Sequence, residues 1–596
     1  MKKATGTICD SIAKMPSRPS DQAAYIYKTK SGWKEISWGE YHDQIQSLAS
    51  FFLELGVKAG DKIALMSSTR WEWSVTDLAA ISIQAPVVPI YQTVTAEDLE
   101  YILNNSKCRY LILESRGMMK MFLGMRERCP HIEKVMLLEN VREEDTDFLS
   151  WHSSLKKGAE LRGKWKDTWD ALMSSCRPEM MATLLYTSGT TGQPKGVVLT
   201  HTQVMSEISE AFPYAGAHSN DTSLSFLPYA HILGRIEHWG QTFIGFTMAY
   251  AESIERVRTN LTEIQPTIMV AVPRIFEKVY AAILTQIEAH PLKRRMFAQA
   301  LEVGKEVSRH KMRREPLPLT LQLKYLAAKK LVLSKITEAF GGRLRFAISG
   351  GAPLSAEVAQ FFHACDIMVL EGYGLTETTA AVTVNTPYDY EFGTVGKPIG
   401  DVELKIAEDG EVLVRSKKVM REYYEDPVST ALVLKDGWFA TGDIGEITPA
   451  GFLKITDRKK DLIKTAGGKY VAPQKLEGLL KLNPLVSQVL IHGDNKKYIV
   501  ALITLDPMNL EKFAIEKQIS YKDKTELTQN NLVLEAVRKT VAETNSNLAS
   551  YETVKRFAVL PADFTVEAGE LTPSLKVKRK FVDQKYRLQI EKLYSN

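Results

Sequence analysis

The chain has only five cysteines in 596 residues, Cys9, Cys108, Cys129, Cys176 and Cys365, and no two stand in a CxxC pair. That spacing excludes the common zinc sites and a disulfide framework. A sparse, odd set suits a reducing compartment, with free thiols buried as small apolar side chains. Long apolar runs are also missing. The most apolar early stretch, Leu78 to Tyr91, is interrupted by Gln84 and two prolines, and nothing reaches the ~20 residues that span a bilayer. The opening MKKATGTICDSIAKM carries three lysines but no apolar core, unlike a signal peptide. Strong charge imbalance is absent too: 76 basic and 71 acidic side chains leave +5. That total gives no reason to expect a nucleic-acid partner, and any electrostatic argument must be local. There is no internal repeat, no low-complexity tract and no signal for an oligomeric state. The expectation is a cytoplasmic enzyme, with peripheral contact to the inner face of a membrane left open.

What is present is alternation. Short apolar runs at Lys62–Met66, Tyr110–Leu113, Val135–Leu138, Thr267–Val272, Leu344–Ser349 and Ile367–Leu370 read as buried strands. Amphipathic segments such as Trp38–Leu55, Ala96–Asn104 and Ala356–His363 lie between them. This rhythm predicts an α/β fold of parallel sheets packed between helices. Residues 141–180, acidic at Glu143, Glu144, Asp145 and Asp147 and weakly periodic, read as a surface excursion. From Gly393 the texture turns β-rich: Val402–Ile406 and Glu411–Val414 flank the turn Glu408-Asp409-Gly410. The charged run DRKKD, Asp457 to Asp461, reads as a solvated connection. The expected division is a large domain over 1–456, with its β-rich part at about 393–456, and a small mobile α+β domain over 457–596.

The densest chemical signal is YTSGTTGQPKG, Tyr186 to Gly196, between two apolar runs. Its glycines, hydroxyls and lysine can offer backbone N–H groups, O–H groups and an ammonium to polyphosphate oxygens. It is not a Walker A loop, because Pro194 stands where that motif requires glycine. SGGAPLS, Ser349 to Ser355, ends a strand with consecutive glycines, which let a flat ligand approach the backbone or simply make a strand-to-helix turn. EGYGLTE, Glu371 to Glu377, opens like a dinucleotide fingerprint but has Glu377 in place of the third glycine, so that reading fails. Glu377 beside Thr376 suits Mg²⁺ against phosphates, and equally a carboxylate at a helix N-terminus. Asp443 in GWFATGDIG and Arg458 in the charged run could converge on ribose hydroxyls, or be a turn aspartate and a surface arginine. Lys576 in LTPSLKVKRK is a site cation or part of a solvated basic strand.

In this order and spacing, the segments resemble the adenylate-forming superfamily of acyl-CoA synthetases, luciferases and peptide-synthetase adenylation domains, from about Trp33 to Lys580. LPYAHILGR at 227–235, VPRIFEKVY at 272–280, a long helical insertion before GGAPLS and the terminal PSLKVKRK are most similar to the long-chain fatty acyl-CoA synthetases, including the bubblegum type. Leu575 stands where short-chain relatives have glycine. REYY at 421–424 replaces the usual Lys-Gly-Tyr-Tyr and is expected to alter a surface turn away from the chemistry.

The resemblance implies ATP-dependent activation of a long-chain fatty acid to acyl-AMP with release of pyrophosphate, then transfer to coenzyme A. It implies that Thr187, Ser188, Thr190, Thr191 and Lys195, with Gly189 and Gly192, cradle the ATP phosphates. Gly351, Ala352, Pro353 and Tyr373 border adenine, and Glu371 and Gly372 belong to the same nucleotide site. Thr376 meets the α-phosphate, Thr187 and Glu377 serve Mg²⁺, and Asp443 and Arg458 bind ribose. Lys576 bridges carboxylate and α-phosphate, Lys460 is the hinge, and Gly467 and Gly468 approach coenzyme A after the small domain rotates. His231 and Arg235 border the acyl channel. A carrier-protein acceptor in place of coenzyme A is the nearest alternative, although no carrier domain is appended. A catalytically dead scaffold is the other, against which the intact polar positions argue.

One segment fits none of these roles. Between Lys293 and Lys335 there are twelve Lys or Arg and three acids, an excess of nine positive charges in a chain of +5. Leu321, Tyr325, Leu331 and Leu333 add apolar residues at roughly helical spacing. A basic, amphipathic helix of this kind can lie on an anionic bilayer or pack on the core.

Overall fold

Runs as apolar as IALM, VVPI and YLIL have no polar face to show to water, so they belong in sheets covered on both sides. The computed structural model describes residues 6–139, 148–187, 193–288, 291–546, 548–572 and 574–595. In it Ile63–Met66, Val87–Ile90 and Tyr110–Leu113 are buried along their whole length. They pair in parallel inside an eight-stranded sheet that ends, at one edge, in Met181–Thr187, Lys195–Thr200 and Glu422–Tyr423. A nine-stranded sheet runs from Lys397–Pro398 to Gly32–Ser37. Its interior, from Val369–Leu375 through Phe346–Ser349, Ile268–Ala271, Thr222–Ser225 and Thr247–Tyr250 to Ala23–Thr29, is parallel throughout. Strands 23–37 lie in one sheet and 422–423 in the other, so the chain closes the two sheets around shared helices.

The β-rich part is a five-stranded antiparallel sheet. Its hairpin joins Glu403–Ile406 to Glu411–Arg415, and Gly410 takes a φ of +85° in the turn. Beyond it, Val486–His492, Ile499–Leu505 and Val554–Val559 form a small sheet with the helices Pro473–Leu480 and Asn531–Asn545. These elements share an apolar core of their own, from Ile463 to Val559. The α/β architecture read from the alternation is the observed one.

Two expectations fail. The supposed excursion at 141–180 is largely a 25-residue helix, Trp151–Ser175, that lies along Trp38–Glu54; residues 140–147, with the four acids, lie outside the described residues. Its inward stripe includes small residues, Ser154 and Gly158, which hide the period. A Cβ on Gly158 would come within 1.9 Å of the Ser47 carbonyl oxygen, so the close helix approach requires glycine. Trp151 and Trp169 anchor the helix, each donating its indole N–H at 2.8 Å, to Thr76 and Ser82 respectively. The charged run DRKKD is also not simply solvated. Asp457 and Arg458 finish the strand Leu453–Arg458. Asp457 is buried, and accepts from the amides of Arg458 at 2.6 Å and Gln474 at 3.3 Å.

Candidate active site

The strands Met181–Thr187 and Lys195–Thr200, which flank the hydroxyl-rich loop in sequence, pair antiparallel. Ser188, Gly189, Thr190, Thr191 and Gly192 lie outside the described residues. Thr187 and Lys195 face each other at the end of that pairing. The Lys195 ammonium donates to the Ser429 hydroxyl at 2.7 Å and sits 5.0 Å from the Tyr423 ring centre.

Tyr423 also donates its hydroxyl to Glu377 at 2.8 Å, so one tyrosine joins the phosphate-loop lysine to the candidate metal carboxylate. The Glu377 carbonyl accepts the Met420 amide at 2.6 Å, and Gly196 accepts that of Tyr424 at 2.7 Å. The REYY segment is therefore part of the site. Only Arg421 and Glu422, paired with one another at 2.9 Å, are the surface substitution that was expected. Thr376 and Glu377 open a single turn of 3₁₀ helix after the strand Val369–Leu375. Gly374 makes this possible: a Cβ there would fall 1.4 Å from the Ala380 carbonyl oxygen. One carboxylate flanked by hydroxyls suits Mg²⁺, which keeps several waters and shares phosphate oxygens with its nucleotide.

Asp443 and Arg458 are directly opposite in the antiparallel pair Trp438–Ile447 and Leu453–Arg458. Their side chains meet at 3.0 Å, and the other Asp443 oxygen accepts the Tyr373 hydroxyl at 2.7 Å. Burial pushes the Asp443 pKa up, opposed by Arg458. Lys576 enters the same neighbourhood from the small domain. Burial lowers its pKa, as does Arg458, while Asp443 and Glu377 oppose the shift. Leu575 holds the turn before it in a left-handed conformation, φ +61°, where glycine is at ease and leucine is strained. His231 caps the helix Ile232–Ile244, its Nδ1 accepting the Leu233 amide at 3.2 Å. Burial, with help from Lys576, pulls its pKa down to about 4.

Gly351, Ala352 and Pro353 form an exposed edge above this cluster, and a Cβ on Gly351 would stand 3.7 Å from the His231 ring. Glu371 does not face them as a free acid. Its buried carboxyl accepts the Leu354 amide at 3.3 Å and braces that edge. Gly372, next in the strand, pairs with Val384. Burial pushes Glu371 up to about 8. The folded protein therefore holds this proton to a higher pH than the unfolded chain does. Its stability contribution is full below the unfolded value and is lost as pH rises through about 8. Glu371→Gln removes that proton, so unfolding midpoints in urea should favour the variant increasingly from pH 5 to pH 9. A constant difference across that range would refute the assignment.

Arg235 is withdrawn from the cluster. It is fully buried, paired with Asp77 at 2.5 Å, and lies between the Trp73 and Trp239 rings at 4.6 and 4.5 Å. Gly467 and Gly468 are at the opposite extreme, exposed in the turn between Ile463–Lys464 and Tyr470–Val471. Lys460 is exposed between Lys459, which pairs with Asp409 and Glu411, and Asp461, 3.7 Å from Arg579. The sequence offered no cue for Ser429, nor for the link through Tyr423; both depend on a strand crossing that only folding creates.

Residues 13–424 match the AMP-binding enzyme family, and residues 460–596 match the AMP-binding enzyme C-terminal domain. The chain belongs to the AMP-binding enzyme family. It is 37% identical over 569 residues to the long-chain-fatty-acid–CoA ligase FadD15 of Mycobacterium bovis, covering 94% of this chain and 93% of that one. Long-chain-fatty-acid–CoA ligase 5 of Rattus norvegicus is 31% identical, over 96% of this chain and 85% of that protein. Among solved structures, the adenylation domain of a carboxylate reductase from Mycobacterium chelonae superposes with a TM-score of 0.74 at 22% identity, covering 100% and 92% of the two chains. That likeness speaks to the fold, and the fold is the expected one.

Proposed function

We infer that this family member is an AMP-forming long-chain fatty acid–CoA ligase: it uses ATP to make an acyl-adenylate and pyrophosphate, then passes the acyl group to coenzyme A, with AMP as the second product. The observation that carries the mechanism is the convergence of Lys576, Arg458, Asp443 and Glu377, from three distant segments, on one cluster, in which Asp443 is buried while Arg458 and Lys576 remain open to solvent. A carboxylate attacking the α-phosphorus of ATP brings negative charge onto negative charge. Lys576 is placed to neutralise it between the two reactants, and Lys195 to draw charge from the leaving pyrophosphate. Glu377 and Thr187 would hold Mg²⁺, which would supply further charge stabilisation there. Asp443 and Arg458 orient the ribose, and the exposed edge Gly351, Ala352 and Pro353 lies against adenine. His231, kept neutral by burial, borders the entry of the acyl chain.

Lys576 stands beside Arg458, Asp443 and Glu377, while Gly467 and Gly468 lie exposed in their own turn. This is the arrangement we assign to adenylation. Rotation of the segment after residue 457, about Lys460, would withdraw Lys576 and bring the glycine turn to coenzyme A. The discriminating assay follows pyrophosphate release with fatty acid and ATP, then AMP release with and without coenzyme A, over fatty acids of graded length. Turnover with long chains that depends on coenzyme A is expected. Adenylation without transfer to coenzyme A would favour the carrier-protein reading, and no pyrophosphate at all would refute both.

Membrane contact belongs to the same proposal. Among the described residues, no helix is long and apolar enough to cross a membrane. The basic segment folds as the helices Pro291–Arg313 and Leu319–Ala328, followed by the turn Lys329–Leu333. Of the four apolar residues read at helical spacing, Leu321, Tyr325 and Leu333 are buried, in line with the packed alternative. A different stripe is outside: Leu319, Leu323, Leu326 and Leu331 are 78, 68, 56 and 63% exposed. Lys324 and Lys330 flank it in the open, whereas Lys311 and Lys329 are spent on Asp366. Exposed leucines between free lysines fit an anionic lipid surface, where each cation contributes about 1 kcal/mol. An enzyme of this kind would work in the cytoplasm, against the inner face of its membrane. Flotation with phosphatidylglycerol vesicles should show binding that weakens with salt and falls at least about tenfold in Leu319→Ser/Leu323→Ser/Leu326→Ser. A triple variant that floats like the wild type would sink the idea.

A further inference from the structure

None of the cysteines enters the chemistry above, yet two of them meet at a histidine. Cys176 caps the C-terminal end of the helix Trp151–Ser175, and Cys9 lies in the short helix Ile8–Ala13. His201 begins the helix His201–Ala215 beside both. Its Nδ1 accepts the Ile8 amide at 3.2 Å, and its Nε2 lies 3.3 Å from the Cys176 sulfur. An amide N–H can only donate, so Nδ1 is the bare nitrogen and the ring proton sits on Nε2, aimed at sulfur. The Cys9 thiol has two acceptors in reach, the Ile81 carbonyl at 3.6 Å and the Cys176 sulfur. Cys176 is partly exposed, while the other four cysteines are buried.

These contacts favour one charge distribution. Donation from Cys9, then from His201, pulls Cys176 down to about 5 against the opposing effect of burial. The same hydrogen bond between the two thiols, with burial, pushes Cys9 well up. The remaining polar groups facing the pair are the Thr7 hydroxyl and the Asp10 carboxylate, and Asp10 adds to the rise at Cys9.

We propose that Cys176 is a reactive thiolate oxidised by hydroperoxides and that Cys9 is its resolving partner, so that residues 9 and 176 form a reversible disulfide. The Cys176 thiolate attacks one peroxide oxygen, the O–O bond breaks, and the departing hydroxide takes up the proton that Cys176 had released to solvent, leaving as water. The product is a sulfenic acid at Cys176. Cys9, losing its proton, attacks that sulfur; the S–O bond breaks and water leaves. Two electrons pass from the two thiols to the peroxide, and a dithiol reductant returns them. The disulfide would tie the N-terminal helix to the base of the hairpin that ends at Thr187. The backbone there is already pinned, with the amides of His201 and Thr202 donating to Met180 and Pro178 at 3.1 and 2.8 Å. His201 is the positioning residue: its Nε2 proton stabilises the thiolate without taking part in electron transfer.

The test starts with the wild-type enzyme. Iodoacetamide should label Cys176 ahead of the other cysteines, with a pH midpoint well below the ~8.5 of an ordinary thiol. Equimolar hydrogen peroxide should remove two of the five free thiols and yield a linked peptide pair containing Cys9 and Cys176, lost on treatment with dithiothreitol. Cys9→Ser should stop at a dimedone-trapped sulfenate on Cys176. His201→Gln should raise the labelling midpoint by about one unit or more and slow labelling at pH 7 about tenfold. The proposal is overturned if all five thiols survive peroxide, if the cross-link joins another pair, if the sulfenate forms but never resolves in the wild type, or if labelling ignores His201→Gln.

Discussion

Lys576→Ala should lose pyrophosphate release by at least about 10²–10³-fold while still transferring the acyl group from supplied acyl-AMP to coenzyme A. The ammonium stands beside Arg458, Asp443 and Glu377, and desolvation and Arg458 together lower its pKa. Two cations set side by side favour anions between them, and the reacting carboxylate and α-phosphate supply such anions. The second half-reaction has no such need, because the acyl-adenylate is already activated. Lys576→Arg should fail to rescue, since a planar fork cannot stand where a compact ammonium bridges two oxygens. Single-turnover assays of each half-reaction decide the matter. Equal losses in both would reject the two-arrangement mechanism.

Glu377→Gln should cut kcat/KM for MgATP by about 10²-fold and shift the Mg²⁺ titration to higher concentration. The amide oxygen can still accept the Tyr423 hydroxyl, and the backbone bond from Met420 is untouched, so the turn should survive and the lost charge be read by itself. Tyr423→Phe is the useful comparison. It removes the link between Glu377 and Lys195 but no charge, and should cost about tenfold. An unchanged metal dependence in Glu377→Gln would remove Glu377 from the magnesium site.

Much of this protein was legible before folding, because local chemistry writes local structure. Fully apolar tetrapeptides such as Ile63–Met66 have one stable home, the interior of a covered sheet. The hydroxyl-rich loop, EGYGLTE and the turn around Asp443 could be named because each packs unusual side chains into a short span. The register that sets Asp443 opposite Arg458 joins two segments already suspected of converging. Where reading failed, the signal had been carried by small residues. Gly158 and Ser154 stand in the inward stripe of Trp151–Ser175, so a helix looked like a polar loop. The basic segment stayed open between two readings for a different reason: its leucines repeat on both faces, and which face meets the core depends on the neighbour.

The class of fold, the family and the short segments proposed to meet phosphate, ribose and metal were all readable from the chain, since each is carried by residues close together in sequence. Only the tertiary structure decided that Tyr423 joins Glu377 to Lys195, that Glu371 braces a loop, that Arg235 is sealed against Asp77, and that Cys9, Cys176 and His201 meet. Each of those pairings spans tens to hundreds of residues. Its geometry is set by how sheets and helices pack, and no local pattern in the chain encodes that distance.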